Sequence, residues 1–186
     1  MSAEDVRAAD ELEALRQLKA RYCRFLDTKQ VESWRTVFTT DVVVTLDLAV
    51  STGGADPTTA PGPRGPNGPV NFVPMVMGGL ENVATMHLPI QESHTPELTL
   101  SSATTATGIW AMEDWLVVAD GSELHGAGHY HETYMKHDGD WRIGSLHLTQ
   151  TIQEMSGEFS MPENSSRVAA VGGCTGTFAG RPARRI

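Results

Sequence analysis

From Thr104 to Ile152 the chain runs through three long stretches that favour β-structure, interrupted at Asp120-Gly121 and Asp138-Gly139. Asp-Gly pairs between such stretches mark tight turns, so the spacing predicts antiparallel strands over 104–118, 123–137 and 141–153. What precedes them has a different period. Leu12, Leu15, Leu18, Tyr22, Phe25 and Leu26 recur at intervals of three and four, which predicts a helix over 4–29 with one apolar stripe. A short helix follows over 32–38, anchored by Trp34 and Phe38, then a β-branched strand over 42–50. A further short helix over 70–80, bent or opened by Pro74, and strands over 84–90 and 95–102 complete the pattern. Helices first and antiparallel strands after describe an α+β domain, in which a long helix against a curved sheet encloses a cavity.

Composition limits what that cavity serves. Fourteen basic against twenty-three acidic residues give a net charge of −9, with no basic cluster ahead of the last six residues, which argues against nucleic acid. No apolar run approaches the roughly 20 residues of a membrane span. The polar helical start does not resemble a signal peptide, so a cytoplasmic protein is expected. Cys23 and Cys174 fit no zinc or redox spacing. Six of the ten prolines fall between Pro57 and Pro74, and 51–69 reads as a loop insertion: a flap over a site or a surface excursion. The domain is expected to span 1–156, followed by a Gly- and Arg-containing tail over 157–186.

Asp27 ends the first helix beside the apolar stripe, four residues after Cys23, and either faces the cavity or caps the helix. Tyr22 lies in the stripe itself, where a core tyrosine is the plain expectation. Strand parity places Trp110, Met112, Asp114 and Leu116 on one face, so Asp114 sits among large apolar side chains unless the strand ends there. A carboxylate in such surroundings needs a partner or a shifted pKa. His125, His129 and His131 share a strand face, but Glu132 points to the other side. A polar sheet surface or subunit contact therefore fits better than a metal site. No GxGxxG, P-loop or nucleophile elbow occurs.

The blocks LEALRQLKARYCRFLDTKQVESWRTVFTTDVVV, HTPELTLSSATTATGIWAMEDWLVVADG and GAGHYHETYMKHDGDWRI occur in an order that resembles the SnoaL-like branch of the NTF2-like superfamily, over roughly 10–153. Within it the chain resembles bile-acid 7α-dehydratase and, more distantly, scytalone dehydratase and hexachlorocyclohexane dehydrochlorinase. The resemblance implies a cone-shaped α+β barrel, its bent mixed sheet closed by helices around a hydrophobic pocket. It also implies a cofactor-independent, dehydratase-type lyase using Asp–His proton transfer on a ring-containing steroid, polyketide or terpenoid substrate. The branch also hosts isomerases, epoxide hydrolases and non-catalytic binding or assembly modules, which remain alternatives.

Carried over by position, the resemblance assigns catalytic roles to Tyr22, Asp27, His87 in the Met86-His87 step, and Asp114. About three extra residues within Leu88–Ser93 leave His94 as a second candidate for the pocket base, while an ungapped alignment would place Gln91 there. The chain departs from the pattern where a pocket tyrosine becomes Leu46, an arginine becomes Gln150 and a second histidine becomes Trp110. Phe25, Leu46, Phe72, Met75, Trp110, Tyr130 and Gln150 are the expected substrate-facing residues. No cofactor, metal, nucleic acid or membrane partner is implied. A homo-oligomer is implied, trimer before dimer, with the tail beyond Gly157 on a neighbour.

Overall fold

A computed structural model describes residues 2–47, 69–81, 83–88 and 96–156. Helix α1 (Ala3–Asp27) is followed by α2 (Val31–Arg35), β1 (Phe38–Asp47) and α3 (Pro69–Gly79). Strands β2 (Val83–Leu88), β3 (Glu97–Leu100), β4 (Thr105–Val118), β5 (Glu123–His137) and β6 (Asp140–Ser156) complete the fold. Helix α1 starts at a reciprocal capping box: Ser2 Oγ accepts from the Asp5 amide, and the Asp5 carboxylate accepts from the Ser2 amide. It stops at Thr28, whose amide and hydroxyl both bond the Arg24 carbonyl. The following Lys29 adopts φ 56°, turning the chain sharply.

The six strands form one mixed sheet in the order β1-β6-β5-β4-β2, and β3 shares the β4 edge with β2. All pairings are antiparallel except that of β1 with β6. The expected helix, strand and turn sequence is present, with shifted ends. The expected second helix gives way earlier, at Arg35, because Thr36 and Val37 close its last turn onto Ser33 and Trp34. Phe38 thereby becomes the first residue of β1, opposite Ile143. The turns at 120–121 and 138–139 hold positive φ at Gly121, Asp138 and Gly139, as hairpin turns require. Pro69 opens α3 rather than closing the preceding loop. The rest of the expected 51–69 insertion, and the tail over 157–186, lie outside the described residues.

Parity holds along β4, where Ala106, Trp110, Met112, Asp114 and Leu116 are all buried on one face. Along β5 the inward set is Leu124, Gly126, Gly128, Tyr130, Glu132 and Tyr134. One polar pair crosses this interior. Lys19 on α1 is 1% exposed and Glu132 on β5 is 3% exposed, and Lys19 Nζ donates to Glu132 Oε1 at 2.5 Å. Glu132 Oε2 accepts from the Tyr134 hydroxyl, which accepts from Trp110 Nε1 at 2.6 Å. The same ammonium lies 3.6 Å from the Tyr130 ring centre and 4.4 Å from that of Tyr22. It is therefore enclosed by one carboxylate and two π faces. Nearer the start of α1, Glu11 accepts from Lys136 Nζ at 2.5 and 2.7 Å and from Trp141 Nε1 at 2.6 Å.

Removing one member of a buried pair strands the other charge in a medium that solvates it poorly. Lys19→Met is therefore expected to destabilise the fold by about 3–5 kcal/mol, read as a lower urea midpoint. Adding Glu132→Gln removes the stranded charge, so the double variant should recover the larger part of the loss.

Candidate functional site

The inner sheet face brings polar residues from three strands and one helix into one region. Asp114 on β4 is 7% exposed, and Gln150 on β6 is 3% exposed. Gln150 Nε2 donates to Asp114 Oδ2 at 3.5 Å. They meet above Gly126, which pairs with Asp114 across β4 and β5. A methyl group at Gly126 would fall on Asp114 Oδ1 and within 2.8 Å of Gln150 Nε2. Two residues on, Gly128 lies so close to the Thr149 carbonyl that it likewise has no room for a side chain. The strand is bulged between Ala127 and Gly128, which brings Gln150 opposite Gly128.

Two tyrosines face the same interior. Tyr22 is 3% and Tyr130 5% exposed, with ring centres 5.9 Å apart in an edge-to-face arrangement. Burial pushes both hydroxyls well above the ordinary phenol range, and negative charge at Asp114 and Glu132 adds to the rise. A hydrogen bond with Tyr130 opposes the shift at Tyr22. Both groups are thus neutral donors at physiological pH. Beyond Tyr22, Trp34, Phe38 and Phe72 build an aromatic wall with ring centres 5.1–5.6 Å apart.

Asp27 is the last residue of α1 and half-buried. Burial pushes the Cys23 thiol up to about 11, with a smaller contribution from Asp27, and burial lowers the Lys29 pKa against the opposing charge of Asp27. The sheet register sets His87 of β2 opposite Asp114 of β4. The His87 side chain, the Met75 side chain and all of His94 lie outside the described residues, as does any contact between Asp27 and a histidine.

Among the other expected pocket residues, Phe72 and Trp110 are buried, while Phe25 and Leu46 are partly buried against the core. Trp110 is not simply apolar wall, since its ring nitrogen is committed to Tyr134. Lys19, Glu132 and Tyr134 were not singled out as site residues by sequence reasoning. The signal for Lys19 was its position inside the apolar stripe, four residues after Leu15 and three before Tyr22.

The remaining histidines occupy the outer face. His131 pairs with His147 across β5 and β6, and its pKa is lowered by burial and by the neighbouring His147 and His129. His125 bonds Glu113 on the same face. Among the described residues, no three His, Cys, Asp or Glu side chains gather in a set that could hold a metal ion.

A family model described as a SnoaL-like domain matches residues 7–147. The chain belongs to the SnoaL-like family. Its fold is the cone-shaped α+β arrangement of the NTF2-like superfamily. A type 2 hexachlorocyclohexane dehydrochlorinase superposes with TM-score 0.65 at 16% identity, covering 85% of this chain and 97% of that one. A putative scytalone dehydratase from Novosphingobium aromaticivorans gives TM-score 0.64 at 16% identity, covering 83% and 93%. A Mycobacterium tuberculosis protein of unknown function gives 0.60 at 24% identity, covering 81% and 76%. At these identities the neighbours establish the SnoaL-like fold and leave the chemistry to the side chains.

If Gly126 exists to let Asp114 and Gln150 meet, Gly126→Ala must push both aside. Overpacking of this kind costs about 1–3 kcal/mol. The control is Gly144→Ala, whose added methyl would meet the Met135 side chain at 3.4 Å, an ordinary contact. Denaturant titration should show a clear loss for the first variant and little for the second.

Proposed function

We propose that this SnoaL-like chain is a cofactor-independent lyase of the dehydratase type, acting on a hydrophobic, ring-containing substrate. The observation that carries the reading is the register that sets His87 opposite the buried Asp114, on a sheet whose inner face also presents Tyr130 and meets Tyr22 of α1. Family membership and dehydratase-type structural neighbours support it.

In this reading Asp27 accepts a hydrogen bond from one nitrogen of the His87 imidazole. That fixes the tautomer and favours the protonated form. The other nitrogen removes a proton from the carbon next to a carbonyl and returns one to the departing hydroxyl, which leaves as water. Tyr22, kept neutral by burial, donates to the oxygen on which charge develops. Asp114 orients the hydroxyl, and the aromatic wall of Trp34, Phe38 and Phe72 excludes water and holds the ring. His94 is the alternative base if the segment before Pro96 presents it instead.

An isomerase or epoxide hydrolase would use the same dyad without losing that hydroxyl. A non-catalytic binding module is favoured by a different observation: Tyr22, Trp34, Phe38 and Phe72 pack ring against ring, as side chains filling a pocket do. Native mass spectrometry for a co-purified ligand, followed by a dehydration screen over cyclic hydroxy-ketones, separates these. On a substrate so identified, Asp27→Asn should lower kcat by about 10²–10⁴ while fold and ligand affinity survive. Full turnover in that variant would make Asp27 structural and remove the basis of the dyad.

We also propose that the chain self-associates through its outer sheet face, as a trimer before a dimer. Val43, Met135 and Ile152 are 45%, 42% and 48% exposed there, around His129, His131, His147 and Thr149. Apolar side chains exposed on an otherwise polar face fit an interface between copies of the chain. Light scattering should give a multiple of the 20.1 kDa chain mass, and Ile152→Lys should reduce it to one.

A further inference from the structure

Buried polar atoms in folded proteins nearly always have a partner, so one without invites an explanation. Gln150 supplies such an atom. Its Nε2 is directed to Asp114, yet its Oε1 is fully buried with no hydrogen-bond partner. A carboxylate oxygen accepts, so the NH₂ end of the amide faces Asp114 Oδ2 and the carbonyl end faces away. An apolar side chain of similar volume would avoid an unsatisfied acceptor altogether. The bond to Asp114 is long, at 3.5 Å, and by itself a weak reason for a glutamine here.

Building on the lyase reading, we propose that Gln150 is the specificity-determining residue of the pocket. Its Oε1 accepts a hydrogen bond from a hydroxyl of a neutral ring-containing substrate, held beside Asp114. Two features define that class. The vacant group is an acceptor, so the ligand must bring a donor; an ether or a ketone oxygen does not serve. The adjoining Asp114 carboxylate is 7% exposed, and Glu132 is matched by Lys19, so this part of the interior has no surplus positive charge among the described residues to hold an anion. An alcohol or phenol fits, and a carboxylic acid does not. The glycines at 126 and 128 allow Gln150 to reach this place, because a side chain at either would occupy the space of Gln150 or its backbone.

The test uses the full chain and three matched two-ring probes: 2-naphthol, 2-methoxynaphthalene and 2-naphthoate, titrated by calorimetry at neutral pH. The naphthol should bind about tenfold or more tightly than its methyl ether, the effect of one buried hydrogen bond with its acceptor otherwise left unpaired. The naphthoate should bind more weakly still. Gln150→Leu should abolish the preference for naphthol over ether, with Tm changed by less than about 5 °C, because the variant loses a long bond to Asp114 and a buried unsatisfied acceptor together. Equal binding of naphthol and ether by the native chain would overturn the proposal, as would a preference that survives in Gln150→Leu. A fall in Tm of more than about 5 °C in that variant would also overturn it, by showing Gln150 to be structural. Those results leave the ring-binding pocket intact. If none of the three probes binds, the pocket reading falls and the role of Gln150 falls with it.

Discussion

Helix α1 is registered on the inner sheet face by one buried ion pair. Lys19 and Glu132 face each other across the interior at 2.5 Å, and every polar atom they present has a use. A carboxylate with two oxygens takes one donor from Lys19 and another from Tyr134. The ammonium turns its remaining hydrogens to the faces of Tyr22 and Tyr130. Such pairs add little net stability over an apolar alternative, because desolvation offsets attraction. What this one contributes is location. An apolar contact between α1 and β5 tolerates sliding, whereas a single buried donor has a single position at which it is satisfied. The two tyrosines of the site are set against the ammonium, so the registration of the helix on the sheet and the geometry of the site are the same constraint.

A second consequence concerns polarity. The pair is neutral overall, and the tyrosines stay protonated by burial, so the other buried acidic side chain on the inner sheet face, among the described residues, is Asp114. The surrounding glycines and aromatic rings add volume and shape but no charge.

Parity and turn chemistry were enough to read β4, β5 and β6 from sequence, because a half-buried strand displays its inward set directly and Asp-Gly fixes the hairpins. Asp114 and Tyr22 were placed inside by the same arithmetic. The stripe on α1 also contained Lys19, but a lysine among leucines is read as polar until a partner is known. That partner, Glu132, is 113 residues away. The start of β1 at Phe38 was missed because it depends on Val37 accepting from the Ile143 amide, a contact with no local signature. Nor does any sequence period show that Asp114 and Gln150 meet over Gly126, since that requires a bulge at Ala127/Gly128 to shift the pairing.

The parallel pairing of β1 with β6 has a bearing on how the molecule comes to exist. Phe38 finds Ile143, and Asp47 finds Thr149, so the first strand waits for the last before one of its edges is satisfied. Helix α1 waits as well, since Glu11 and Lys19 close onto residues of β5 and β6. During synthesis the apolar stripe of α1 therefore emerges long before anything covers it, and contacts this distant in sequence close slowly. The β4–β5 hairpin, with its local turn, can form while the helix is still bare. Assembly then ends at the candidate site, with the helix settling over the sheet and bringing Tyr22 to Tyr130.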